Sequence, residues 1–353
     1  MENAFHANHY KVLASTHEKR LCYSKGRMWL EDKNHNISKV KVKLSKLSRL
    51  RIAERILRLT PRLGFAICGE FFFSLHGWLF CVDESNMEAR EVFQFRPGMS
   101  NPLTVCKAQW NQQEVVCWGE YWQNSAHEEV NVFRFDGNLV TKACTIAGIK
   151  HIHLIVWDQY RDCFWITTGD SDDESRIYRA SCDFNNLEIV FSGRQIYRTC
   201  ALFPVEKGII YATDSPLCSN SLLFSEQQKD QFLEPVAIAS MPGPCIFSQE
   251  FRDTYYFSTS VEPNPNLPTI KYMLSRKISP GNTDEYSHVI GISRDLEVRE
   301  IFKAAKDIYN LALFQFGNIQ LSYDAYADAL AAYCTSVKKI DGQTLYLSDA
   351  GKE

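Results

Sequence analysis

The sequence has no apolar run of about 18 residues, no CxxC pair, no low-complexity stretch and no excess of positive charge. Each absence removes a class. Without a long apolar run no membrane-spanning helix is expected. A net charge of −3 excludes a globally basic nucleic-acid binder, so no nucleic-acid partner is expected. The 12 cysteines form no regular framework, and many sit inside apolar runs, among them Cys68, Cys81, Cys117, Cys163 and Cys200. Such cysteines suit buried thiols in a reducing compartment. The opening residues, MENAFHANHYKV, contain no apolar signal core, so a cytoplasmic protein is expected. There is also no P-loop, GxGxxG, GxSxG or HExxH, and no cysteine with an obvious nucleophile-activating partner.

What the chain does have is a repeat. Four copies of an apolar strand followed by a short polar turn with an acid read VVCWGEYW (115–122), FWITTGDS (164–171), IIYATDSP (209–216) and YYFSTSVEP (255–263). The acids are Glu120, Asp170, Asp214 and Glu262, spaced 50, 44 and 48 residues apart. A period of about 40–50 residues with several short strands per unit is the mark of a β-propeller. A hydrophobic fraction of 45%, with 22 Phe, 16 Tyr and 7 Trp, supports a large β-rich core.

The fold expected is therefore all-β, one β-propeller domain over 1–353, with blades near 9–44, 63–95, 101–145, 149–192, 196–241, 243–303 and 309–348. Turn signals at PGMSNP (97–102), FDGN (135–138) and PNPNLP (263–268) separate its strands, and the long sixth unit implies an insertion around 263–284. The count is seven, or six if the first and last segments share one closing blade. One stretch, SKLSRLRIAERILRL (45–59), reads as a short basic helix. Segment 38–63 carries nine Lys/Arg against one Glu, a local charge of +8 that leaves −11 for the rest. Its arginines Arg49, Arg51, Arg55 and Arg58 are candidates for a peripheral contact with the inner membrane face or with a glycosyltransferase.

In a propeller blade the strands a to d reverse in turn, so the b–c turn and the start of strand a share one face. Placed on b–c turns, the four acids converge there. IKHIHLIVWD (149–158) brings His151 and His153, two apart on a strand and therefore on one side. Arg198 in IYRTCALF and Arg96 in FQFRPGMSNP join them, with Tyr121 and Trp122 as aromatic walls. The candidate catalytic residues are thus Glu120, His151, His153, Asp170, Asp214 and Glu262. The candidate substrate-binding residues are Arg96, Tyr121, Trp122 and Arg198. The mixture suits a hydroxyl-rich or acidic ligand such as a glycan. The HxH spacing also suits a divalent metal held by His151 and His153. Each acid also has a turn-forming role open to it, a weaker one for Glu120 and Glu262 because Glu is a poor turn residue. A lone histidine has a structural role open to it, although two imidazoles on one side of a strand need two partners.

The segments GEYW, IKHIHLIVWDQYRDCFWITTGDSDDES, YRTCALF, YATDSP and STSVEP, in this order, resemble sialidase-like (BNR/Asp-box) β-propeller proteins encoded among bacterial surface-polysaccharide biosynthesis genes. The resemblance is strongest over 113–263. It implies the propeller fold and a glycan-related context. Two Asp-box remnants survive, SCDFNNLE (181–188) with Ser181 and Asp183, and SRDLEVRE (293–300) with Ser293 and Asp295. A sialidase holds its substrate carboxylate with three arginines and uses a Tyr/Glu nucleophile pair. Only Arg96 and Arg198 offer themselves here, so that activity is not carried over.

Two classes of function follow. One is a carbohydrate-active enzyme acting on a surface polysaccharide or its precursor. It would be a hydrolase with two carboxyls across the bond, or a lyase in which His151 or His153 takes a proton while Arg198 or a metal neutralises a uronate carboxylate. The other is a non-catalytic propeller that binds glycan or scaffolds glycosyltransferases.

Overall fold

A computed structural model describes residues 6–99 and 101–347. Ser100 within the PGMSNP turn, the first five residues, and residue 348, where the last blade was expected to end, lie outside the described residues. The described residues form seven antiparallel sheets of the a–b–c–d type. The inner strands are Lys11–Ser15, Gly64–Ile67, Cys106–Trp110, Ile152–Asp158, Thr199–Val205, Cys245–Phe251 and Asn318–Asp324. Each expected blade corresponds to one sheet. Blade five adds a two-residue strand, Gln231–Phe232, against its third strand.

The ring closes in a way that settles the count at seven. His6–Asn8 pairs antiparallel with Thr344–Leu347, so the start of the chain supplies the outer strand of blade seven, while blade one begins separately at Lys11. First and last segments do share a blade, yet only three residues cross over.

Six of the seven blade junctions are filled by apolar clusters. Phe65, Phe72, Trp118 and Phe135, for example, join blades two and three, and Trp165, Tyr211 and Leu202 join blades four and five. Among the described residues no such cluster joins blades seven and one. Arg20 takes its place. Its Nε and Nη2 donate to Glu31 at 3.0 and 2.9 Å, and its Nη1 donates to Tyr346 Oη at 3.0 Å. Tyr346 in turn donates to Asp324 at 2.7 Å. The guanidinium also lies over the rings of Tyr10 and Tyr326, at 5.1 and 4.5 Å. The buried, fully partnered guanidinium thus ties blade one to blade seven where the chain ends meet.

The basic segment differs from the single helix expected. It is a 3-10 turn, Lys46–Arg49, and a short helix α1, Arg51–Ile56, separated by Leu50 in extended conformation. Its side chains explain the break. Glu54 is buried and accepts from Tyr23 Oη at 2.6 Å, while Arg51 donates to both oxygens of Asp341, at 2.9 and 2.7 Å. Arg55 is buried and donates to Asp307 at 2.6 Å and Ser336 at 2.7 Å, and Arg58 donates to the Ala312 carbonyl at 2.6 Å. The segment straps blade one to blade seven, and of its four candidate contact arginines Arg51, Arg55 and Arg58 serve that strap. Arg49 is exposed. The sixth blade carries the expected insertion, with helix α2 at Thr269–Leu274. Among the described residues no helix is long and apolar enough to cross a membrane.

Removing one member of a buried charge network leaves the others unpaired, at a cost of about 3–5 kcal/mol. Arg20→Ala is therefore expected to lower unfolding free energy by about that amount in urea titrations, whereas Arg49→Ala on the surface should stay within about 0.5 kcal/mol. Equal effects would show that the seam does not depend on Arg20.

Candidate functional site

The repeated acids do follow the second strand of their blades. Strands Gln113–Gly119, Cys163–Thr168, Gly208–Thr213 and Thr254–Thr259 run into Glu120, Asp170, Asp214 and Glu262 at the b–c turns. Two further local features then aim side chains at the channel. One is a β-bulge at the start of the inner strand, repeated in blades one, four, five and six. In blade four Ile152 pairs with Thr168 and Leu154 with Thr167, so His153 is the extra residue; in blade five the extra residue is Cys200. A bulge redirects the side chain that regular alternation would place elsewhere. His151 precedes the strand, so the histidine pair owes its convergence to this bulge rather than to strand alternation. The other feature is Gly169. A Cβ there would lie 2.6 Å from His153 Cε1 and 2.9 Å from Arg198 Cγ, so only glycine lets the turn pass beneath the imidazole. Asp170 follows at φ +127°, a conformation costly for any side chain and held here by the groups around it.

Those groups meet at one carboxylate. Asp170 Oδ2 accepts from Lys150 Nζ at 2.9 Å, and Asp170 Oδ1 lies 3.3 Å from Arg198 Nη2. The same Oδ1 is 3.6 Å from His151 Nε2 and 3.7 Å from His153 Nε2, and the two Nε2 atoms are 3.2 Å apart. His151 Nδ1 lies 3.0 Å from the Trp122 carbonyl. A carbonyl only accepts, so Nδ1 carries a proton and His151 Nε2 is the ring nitrogen turned toward Asp170. The Tyr121 ring covers His151 at a centroid distance of 4.3 Å. His153 Nδ1 is buried without a hydrogen-bond partner.

Next to this triad, Cys200 Sγ donates to Asp214 Oδ2 at 3.2 Å, and Arg198 Nε lies 3.7 Å from that oxygen. Ser260 Oγ donates to Glu262 at 2.7 Å. His153, Cys200 and Asp214 form a second group, with one candidate ligand atom of each within 4.8 Å of the others.

Protonation follows from these surroundings. Burial pushes His153 down to about 4, against the opposing pull of Asp170, so its imidazole is neutral at pH 7. Burial alone would raise Asp170, but His151 and His153 outweigh it and hold the carboxyl well below the usual range. Asp214 is pushed up to about 7 by burial and by Glu262, despite Arg198. Burial also raises Glu262, and it raises the Cys200 thiol well above its ordinary value, which rules Cys200 out as a thiolate nucleophile at neutral pH.

The donor set fits a divalent metal. Three atoms separated by 3.2, 3.6 and 3.7 Å share a point about 2.0 Å from each, the usual bond length from a transition metal to imidazole nitrogen or carboxylate oxygen. One ligand is already oriented by a backbone carbonyl, as metal-binding histidines are. Three protein atoms are fewer ligands than the roughly four to six that a divalent ion takes, which leaves positions for substrate oxygens.

The other expected residues lie elsewhere. Glu120 accepts from Arg96 Nε and Nη2, both at 2.9 Å, and from Asn131 N and Nδ2 at 2.8 and 3.0 Å. Its oxygens are fully used, and Arg96 is used with it, so this pair clamps blades two and three rather than facing a substrate. The Trp122 ring stacks under Arg96 at 4.6 Å, and its contribution to the site is its carbonyl. The two Asp-box remnants occupy c–d turns on the opposite face; in the first, Ser181 Oγ donates to Asp183 at 2.6 Å. Sequence reasoning missed Lys150, Gly169, Cys200 and Arg62. The first three lie within quoted motifs, whereas Arg62 comes from the connection before blade two and has its charge within reach of Tyr121.

No family model and no curated protein sequence matches the chain. Solved structures do resemble it. An oligogalacturonate lyase in complex with manganese superposes with a TM-score of 0.59 at 12% identity, over 96% of this chain and 90% of that one. An oligogalacturonate lyase from Vibrio parahaemolyticus gives 0.52 at 9% identity, over 100% and 93%. A chain of a mitotic checkpoint complex gives 0.54 at 8% identity, over 98% and 92%. At such identities the likeness shows the fold alone.

The raised Asp214 makes a signed prediction. Between its ordinary 3.8 and about 7 the folded protein keeps a proton that the unfolded chain has lost. Its stabilising effect is complete below 3.8 and is lost as pH rises through 7, with a slope approaching about 1.4 kcal/mol per pH unit. His153, depressed from 6.5 to about 4, works in the opposite sense between those values, and its share is full above 6.5. Urea titrations of wild type and Asp214→Asn across this range should diverge accordingly, with the falling component absent from the variant. Parallel curves would refute the buried, protonated Asp214.

Proposed function

We propose that the chain cleaves an acidic glycan by metal-assisted β-elimination at the channel mouth. The observation that carries this reading is the convergence of His151 Nε2, His153 Nε2 and Asp170 Oδ1 at metal-ligand separations, beside the cations Lys150 and Arg198. A bound divalent ion at these three atoms would act as a Lewis acid toward a uronate carboxylate, making the neighbouring C–H more acidic.

The chain's own groups supply the rest. Arg198, fixed to the Asp170 carbonyl at 2.9 Å, is placed to take the second oxygen of the substrate carboxylate. Tyr121 offers a flat face to the sugar ring. Imidazoles that hold an ion have no lone pair left for a proton, so the base falls to the Asp214–Glu262 pair. Asp214, raised to about 7, is matched to proton transfer near neutral pH. In the elimination the carboxyl pair removes the proton next to the uronate carboxylate. A C–C double bond forms as the glycosidic C–O bond breaks, and the proton held by the carboxyl pair passes to the leaving oxygen. Hydrolysis would have to use the Asp214–Glu262 pair alone, because Asp170 is neutralised by Lys150 and Arg198 and Glu120 is consumed by Arg96, and it would leave the metal-ligand convergence without a role. A carboxylate so thoroughly balanced also suits binding without turnover, which is the second reading. The resemblance to sialidase-like propellers and the lyase neighbours support a glycan ligand, whereas the engagement of Arg96 with Glu120 tells against sialidase chemistry.

The test is incubation with uronate oligosaccharides, followed by ultraviolet absorbance of the unsaturated product. Activity is expected to disappear with a chelator and return with manganese. His153→Ala and Asp170→Asn should each lose at least about 10²-fold in rate, with the thermal midpoint held within a few degrees. Saturated products would mean hydrolysis. Binding without products would leave only the glycan-binding reading.

A further inference from the structure

Three connections on the site face pack into one ridge beside the channel. They are 40–63 between blades one and two, 263–283 in the b–c turn of blade six, and 306–317 between blades six and seven. Arg55 Nε donates to the Phe314 carbonyl at 2.9 Å, Leu311 N to Ser275 O at 3.2 Å, and Asn310 Nδ2 to the Leu274 carbonyl. The outer surface of the ridge carries Leu50, Ile52, Leu57, Ile270, Leu274 and Ile308, exposed from 50% for Ile52 to 76% for Ile270. Isolated exposed leucines are ordinary, but six apolar side chains on three connections tied together by hydrogen bonds are a concentration that calls for a partner.

Charge narrows the choice of partner. Residues 41–63 and 263–283 hold eight and three Lys/Arg, and their single acid, Glu54, is buried against Tyr23 and Arg51. Arg51, Arg55 and Arg58 are spent internally, yet Lys43, Lys46, Arg49, Lys271, Arg276 and Lys277 remain exposed. A second copy docked symmetrically would set cations against cations. The helices are six residues each and frame a ridge rather than a groove for a partner helix. A fluid anionic surface meets both features, accepting scattered apolar side chains at headgroup depth and cations against phosphate.

We propose that this ridge docks the protein on an anionic lipid bilayer, turning the channel mouth toward the membrane. The inference is independent of the metal and of catalysis. The test is co-sedimentation of the full chain with phosphatidylcholine vesicles, with and without about one-third phosphatidylglycerol. Wild type should bind the anionic vesicles at least tenfold more tightly, lose binding as salt rises, and be indifferent to a chelator. Leu50→Ser/Ile52→Ser/Ile270→Ser/Leu274→Ser should bind at least tenfold more weakly with its charge unchanged. Lys43→Glu/Lys46→Glu/Lys271→Glu/Lys277→Glu, at exposed positions that leave the fold intact, should lose the preference for anionic lipid. Equal binding by wild type and both variants would overturn the proposal. So would a wild-type dimer, by light scattering, that the serine variant dissolves, since the ridge would then serve self-association.

Discussion

The Asp170 carboxylate is the interaction on which the site depends. Lys150, Arg198, His151 and His153 all point at it from two blades, and its backbone adopts φ +127° to be there. Such a conformation persists only when its surroundings over-determine it. Here they do, through the Gly169 cradle, the bulged His153 and the Arg198 bond to the Asp170 carbonyl. Groups held this way lose little on meeting a ligand, which is what preorganisation for binding or catalysis requires.

The arrangement is asymmetric about the channel. Blades three to six supply the polar floor, while connections among blades six, seven, one and two, with the blade-six insertion, supply the apolar, basic ridge. The same connections strap the seam that Arg20 occupies, through Arg51–Asp341 and Arg55–Asp307. One inserted segment thus stabilises ring closure with one set of arginines and shapes the outer surface with its remaining side chains. That division explains why a count of nine basic residues in 38–63 says so little by itself. Charge that is legible in composition is partly consumed by partners about 250–290 residues away.

Blade positions were legible because each strand is short and ends in turn chemistry, so punctuation marks the edges without long-range knowledge. The joining of His6–Asn8 to the last blade was not, because three residues carry no pattern and their partners lie at the far end of the chain. Spacing groups the four acids together because it reports position on a blade and says nothing of partners. Arg96 removes Glu120 from the group, while Asp170, Asp214 and Glu262 remain with Arg198 in their field. Cys200 was visible only as one buried cysteine among many, since a bulge shifts side-chain direction without leaving a mark in the alternation of residue types. The helix expected over 45–59 gave way to a turn and α1 because tertiary bonds to blade seven outweighed propensity.

The most direct measurement is anomalous diffraction from a crystal of the protein soaked in manganese. One peak is expected, about 2.0–2.3 Å from His151 Nε2, His153 Nε2 and Asp170 Oδ1, and it should vanish in His153→Ala. An ordered site with both imidazoles in place and no density among these three atoms, or density only elsewhere, would contradict the metal centre from which the proposed chemistry is built.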